Sequence, residues 1–124
     1  MKENIFKFAE KYYELLDSHA SLEELLGFFK EDKFQIIEGD MIIDNFEKYS
    51  LWYENTKKQF SSRKHIINDI QIKEENNLFY VEISMDFKGE LSSGKDIYLK
   101  NATVLWTLVL FENKFRIKKY EIKI

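Results

Sequence analysis

Two histidines, His19 and His65, are the side chains of this 124-residue chain whose ordinary titration falls near neutrality. His65 stands in the run Arg63-Lys64-His65-Ile66-Ile67-Asn68, where the apolar pattern changes from a helical period to a strand period. A ring at the start of a strand can turn into a cavity and act as a general base. It can equally end as a hydrogen-bond partner at the strand end. Its parity along the strand is that of Ile67, Asp69 and Gln71. Asp69 does not qualify as its partner on spacing alone, because four residues of strand span about 13 Å. His19 falls in Ser18-His19-Ala20, a break between helical patterns, and is expected in solvent. Glu38 precedes the turn Gly39-Asp40. A carboxylate works as a base near neutrality only when burial raises its pKa.

Other chemistries fail on inventory. Cysteine is absent, which excludes disulfides, thiol nucleophiles and thiolate metal sites. Two distant histidines make no metal-binding signature. The four glycines are scattered, so neither a phosphate loop nor a Gly-x-Ser-x-Gly elbow is present. No metal or cofactor is therefore expected. Arginine occurs only at Arg63 and Arg116, and the net charge is −3, which argues against a nucleic-acid partner. No apolar run approaches the roughly 20 residues that span a bilayer. The start of the chain is amphipathic rather than signal-like, so no membrane partner is expected and a cytoplasmic location is.

The elements that must position these residues follow from periodicity. Ile5, Phe8, Ala9, Tyr12 and Leu15/Leu16 recur at helical spacing, with Asn4 as a cap, and predict a helix over 5–17. Ser21 with Glu24 reads as a capping box opening a short helix through Leu25 to Phe29. A brief strand over 34–38, a turn and Met41-Ile42-Ile43 follow. Asp44 with Glu47 reads as a second capping box, for a helix carrying Phe46, Tyr49, Trp52, Tyr53, Thr56 and Phe60.

From residue 64 the period is two. Ile66, Ile70 and Ile72 are expected to share one strand face, and Phe79, Val81, Ile83, Met85 and Phe87 another. The strand over 97–111 is apolar on both faces along its middle, so it must be covered twice. Helices can cover one side, and a second subunit is the simplest cover for the other. Beyond it the apolar set slips from Phe115/Ile117 to Tyr120/Ile122, which predicts a bulge near Lys118-Lys119. Helices first and hairpin-linked strands after make a single α+β domain over 1–124.

In this order and spacing the chain resembles the nuclear transport factor 2-like superfamily, in its SnoaL-like and ketosteroid isomerase-like branch. The resemblance rests on Tyr12-Tyr13-Glu14-Leu15-Leu16-Asp17, Phe34 to Gly39, Trp52-Tyr53, Arg63 to Asn68, and the terminal hairpin from Trp106 to Ile117. It covers nearly the whole chain. It implies a cone-shaped, cystatin-like fold, with three N-terminal helices packed in a curved, mostly antiparallel sheet around an apolar cavity. It also implies dimers. On the isomerase pattern Tyr12 matches an oxyanion-binding tyrosine and Glu38 falls near the base. The late acid would fall near Thr107, where the sequence reads Leu105-Trp106-Thr107-Leu108. Neither arginine sits with two acids in the manner of the family's epoxide hydrolases.

The expected function is binding of a small apolar molecule in an aromatic-lined pocket. The alternatives are an acid–base isomerase, dehydratase or cyclase acting on an apolar cyclic substrate, and a protein-interaction module using the sheet face. The expected pocket wall is Tyr12, Trp52, His65, Met85 and Trp106, with Glu38 near its mouth. Tyr12, Glu38 and His65 are the catalytic candidates, although Tyr12 also suits a core edge and Glu38 a solvated turn. A homodimer through the outer sheet face is the expected assembly.

Overall fold

The computed structural model describes residues 2–31 and 33–123. Three helices, α1 (Lys2–Asp17), α2 (Leu22–Leu26) and α3 (Phe46–Gln59), accompany six strands. These are β1 (Gln35–Glu38), β2 (Met41–Ile43), β3 (Phe60–Glu75), β4 (Leu78–Leu91), β5 (Asp96–Phe111) and β6 (Lys114–Lys123). The strands form one sheet in the order β2-β1-β6-β5-β4-β3. All neighbours run antiparallel except β1 and β6. The architecture is the expected α+β arrangement of helices against a curved, mostly antiparallel sheet.

Local chemistry sets the element ends, sometimes one step from where the sequence suggests. Asn4 lies inside α1 rather than capping it. The helix accommodates it because Glu3 in the first turn suits the positive end and pairs with Lys7 at 3.4 Å. Ser21 does cap α2, accepting from the Glu24 amide at 3.3 Å and donating to its carboxylate at 3.1 Å. That helix stops at Leu26 instead of reaching Phe29. Gly27 ends it, and the next residues commit their backbone to β6: Ile117 donates to the Phe28 carbonyl at 2.7 Å, and Lys30 donates to the Ile117 carbonyl at 3.0 Å. For α3 the cap is Asn45, which accepts from the Lys48 amide at 2.8 Å. Asp44 instead holds the Lys48 ammonium at 2.9 Å, so the predicted capping box shifts by one residue.

Bulges curl the sheet. The expected bulge is present: Lys118 is the extra residue between the pairs Thr107–Lys119 and Leu108–Ile117. Three more were not visible in the sequence, the first at Ser61, between the pairs Phe60–Leu91 and Ser62–Glu90. Asn68 is extra in β3, between Ile67–Met85 and Asp69–Ser84, and Lys100-Asn101 widens β5 opposite Asp86. The Asp86 carboxylate ties the last two together, accepting from the Asn101 amide and from Asn68 Nδ2, each at 2.9 Å. The Asn68 bulge overturns one expectation. Arg63, His65 and Ile67 lie on the same face as Ile70 and Ile72, and Ile66 does not. One extra residue flips parity, so the inner face of β3 is odd from Arg63 to Ile67 and even after Asn68.

The core sits on the concave side. It joins Ile5, Ala9, Tyr12, Tyr13 and Leu16 of α1 and Tyr49 and Tyr53 of α3 to the inner residues of β3–β6, Trp106 among them. Among the described residues, no helix is long and apolar enough to cross a membrane.

Candidate functional site

α1 ends on Asp17, and β3 passes its tip at Arg63 and His65. His65 Nδ1 lies 2.6 Å from Asp17 Oδ1, and the His65 amide donates to Asp17 Oδ2 at 2.7 Å. A carboxylate only accepts, so Nδ1 carries a ring proton, and in the neutral ring the lone pair is on Nε2. Both side chains are nearly covered, at 14% and 15% exposure. The imidazole stacks on Tyr13 with centroids 4.6 Å apart and meets Phe87 at 4.8 Å. Phe87 is held in turn by Phe60, whose ring occupies the space over Gly89. A Cβ at Gly89 would come within 2.8 Å of that ring, so glycine is needed there for close approach.

His65, Asp17 and Tyr13 open onto a cleft of about 660 Å³ between α1 and β3, with Phe6, Glu10 and Ile67 on its walls. Asp69, on the other side of the bulge, interacts with Gln71 and not with His65.

Behind Tyr13 lies a set of buried hydroxyls. Tyr12 and Tyr49 share a hydrogen bond of 2.8 Å, and Tyr13 and Tyr120 share one of 2.5 Å. Burial first, and the neighbouring tyrosines second, push Tyr12 and Tyr13 well above the ordinary tyrosine range. Burial likewise raises Tyr49 and Tyr120. These groups therefore stay protonated at neutral pH and act as neutral donors. Trp106 packs edge-on to Tyr12 and stacked on Tyr13, each at 5.7 Å. Its indole N–H leans toward the Tyr120 oxygen without completing a hydrogen bond of good geometry.

The residues expected to line a pocket thus fall into three groups. Tyr12, Met85 and Trp106 are core residues closed over by their neighbours, none more than 3% exposed. Trp52 is half-buried and joins the same cluster through Tyr49, 5.3 Å away. His65 reaches the cluster through Tyr13 and also faces the cleft. Glu38 stands apart, exposed at the end of β1 beside Met41 and Ile122. His19 is exposed, as expected, and its pKa is lowered by partial burial and then by Arg63 and Lys57. Asp17, which stands in Leu15-Leu16-Asp17 without a sequence signal linking it to His65, is the carboxylate that the fold brings against the imidazole. Among the described residues, no three of His, Asp and Glu gather as a metal site.

No family model matches the sequence, and no curated protein matches it. Solved structures do match by shape. A candidate scytalone dehydratase of Novosphingobium aromaticivorans DSM 12444 superposes with a TM-score of 0.87 at 18% identity, over 98% of this chain and 82% of that one. A nuclear transport factor 2-like superfamily protein of Salmonella enterica gives 0.83 at 16% identity, over 98% and 89%. A protein of unknown function from Nostoc punctiforme, described as having a cystatin-like fold, gives 0.78 at 15% identity, over 98% and 88%. The fold is the cystatin-like α+β cone. Within that class it is the fold of the nuclear transport factor 2-like proteins.

Proposed function

We propose that the protein is an acid–base enzyme of the isomerase, dehydratase or cyclase kind, acting on a small apolar cyclic substrate. His65 is its base and Asp17 holds that base in place. The observation that carries this reading is the double contact of Asp17 with His65, at 2.6 Å to the ring and 2.7 Å to the amide. A carboxylate so placed fixes the tautomer and rotamer of the ring and stabilises the imidazolium that forms when Nε2 takes a proton. The substrate enters the cleft beside Tyr13 and Phe6. His65 removes a proton α to a carbonyl, and the electron pair moves onto the carbonyl oxygen. As the carbonyl re-forms, return of the proton from the His65 imidazolium to the far carbon of an adjoining double bond isomerises the substrate, whereas its delivery to a departing β-hydroxyl releases water and dehydrates it. Likeness in shape to a candidate scytalone dehydratase supports this class of chemistry.

The test measures α-proton exchange in D2O by NMR, with a panel of cyclic aryl ketones. The protein should accelerate exchange of at least one ketone. His65→Ala and Asp17→Asn should each lower that rate by about 100-fold or more. No exchange by the wild type, with ketone binding unchanged in His65→Ala, would leave a binding protein in place of an enzyme. The working assembly under this proposal is a homodimer through the outer sheet face.

A further inference from the structure

The geometry points to Arg63 as a positioning residue that clamps the end of α1 and so holds the Asp17 carboxylate against His65. This inference rests on the acid–base reading of that pair.

Arg63 is buried, 8% exposed, yet among the described residues its guanidinium makes one hydrogen bond, from Nη2 to the Leu16 carbonyl at 3.1 Å. Its Nε is buried with no partner among the described residues. A buried cation so sparingly bonded is poor material for stability, because desolvation is offset only when the remaining donors are satisfied. Its value lies in what the single bond holds. The Leu16 carbonyl belongs to the peptide that leads directly into Asp17. It lies at the negative end of α1, where it also accepts from the His19 amide at 3.3 Å, and that last turn carries no basic residue of its own, so Arg63 supplies the cation that the helix end lacks.

Arg63 and His65 are two residues apart on the inner face of β3, about 7 Å along the strand. The strand thus grips the helix tip at two successive inward positions. One grip is on the backbone before Asp17 and the other is on its side chain. Asp17 opposes the lowering that burial imposes on the guanidinium, so the cation and the carboxylate attract across this short span. The other titratable groups that interact with Arg63 are Tyr12 from α1, Tyr49 and Tyr53 from α3, and His19 from the connecting loop. None of them bonds the guanidinium.

The readout is hydrogen exchange of the His65 Nδ1 proton, followed by NMR, which reports the bond to Asp17 and needs no substrate. Arg63→Met keeps the bulk and removes charge and donor. It should speed that exchange by about ten-fold, the equivalent of one net hydrogen bond to a charged group. Arg63→Lys keeps the charge and should show a smaller rise. Ile70→Val, which lowers stability in the same strand without touching the clamp, should leave the exchange at its wild-type rate. If Arg63→Met does not fold, the comparison of Arg63→Lys with wild type carries the test. Exchange unchanged in the folded variant, whatever its melting temperature, overturns the proposal. Failure of the enzyme reading is distinguishable, because it would appear in ketone exchange and leave the Nδ1 proton signal intact.

Discussion

Asp17 and His19 sit two residues apart at the end of α1 and serve opposite ends. Asp17 is fixed by β3, whereas His19 only turns the chain, with φ at 57° and its amide donating to the Leu16 carbonyl at 3.3 Å. That left-handed position after a helix favours glycine, because a Cβ crowds the following carbonyl. His19→Gly should therefore stabilise the fold by about 0.5–1 kcal/mol, the gain in backbone strain exceeding the added unfolded-state entropy. Urea denaturation measures it, and a lower midpoint would show that the imidazole contributes contacts of its own. The same change leaves His65 as the only histidine, so its ring can be read without overlap. At this scale His65 was visible in the sequence by type and place. Its partner was not, since 48 residues separate the two and only the packing of α1 across β3 brings them together.

Among elements, periodicity carried the reading as far as a regular pattern allows. The slip at Lys118 was legible because it breaks the alternation of Ile117 and Tyr120. The bulge at Asn68 was silent. Ile66 and Ile67 are both apolar, so Ile66, Ile70 and Ile72 share even parity with only Asn68 between them, while the chain uses Ile67 instead. What decides the register is Asp86, which bridges the bulges of β3 and β5. Its pKa is lowered, first by the Asn101 amide and then by Asn68. A depressed folded-state value means that the carboxylate's contribution is present above the ordinary carboxylate pKa of about 4 and is lost as pH falls through the lower folded value. Asp86→Asn keeps the shape and one acceptor but does not titrate. Its stability should be lower than wild type at pH 7, and the gap should close on acidification below about pH 4. A gap of constant size from pH 7 to pH 3 would mean that Asp86 charge plays no part in holding the bend.

For the whole molecule the concave side of the sheet is complete and the convex side is not. α1 and α3 bury Val104, Trp106 and Leu108 of β5, whereas Leu105, Thr107 and Val109 on its other face are only half-buried. Tyr80 beside them on β4 is 43% exposed. Lys73, Glu82, Lys119 and Glu121 interleave around this apolar strip, and Lys119 pairs with Glu121 at 3.1 Å. The face of the four long strands, β3 to β6, about 4.8 Å apart and ten residues long at about 3.3 Å each, offers about 630 Å². That lies at the lower end of the area, about 600–1,000 Å², that each partner of a standard interface contributes. A second copy across a two-fold axis would cover the strip and bring lysines of one subunit toward glutamates of the other, since a two-fold interface is made of the same patch twice. The proposed homodimer should therefore sediment as a dimer at micromolar concentration. Leu105→Lys, which places a charge at the centre of the strip, should shift it to monomer while the fold remains intact by circular dichroism. Replacing the exposed Leu51 on α3 with lysine, far from that face, should leave the dimer unchanged. A wild type that sediments as a monomer across that range would refute the assembly, and the half-buried strip would then be ordinary exposed apolar surface of a single chain.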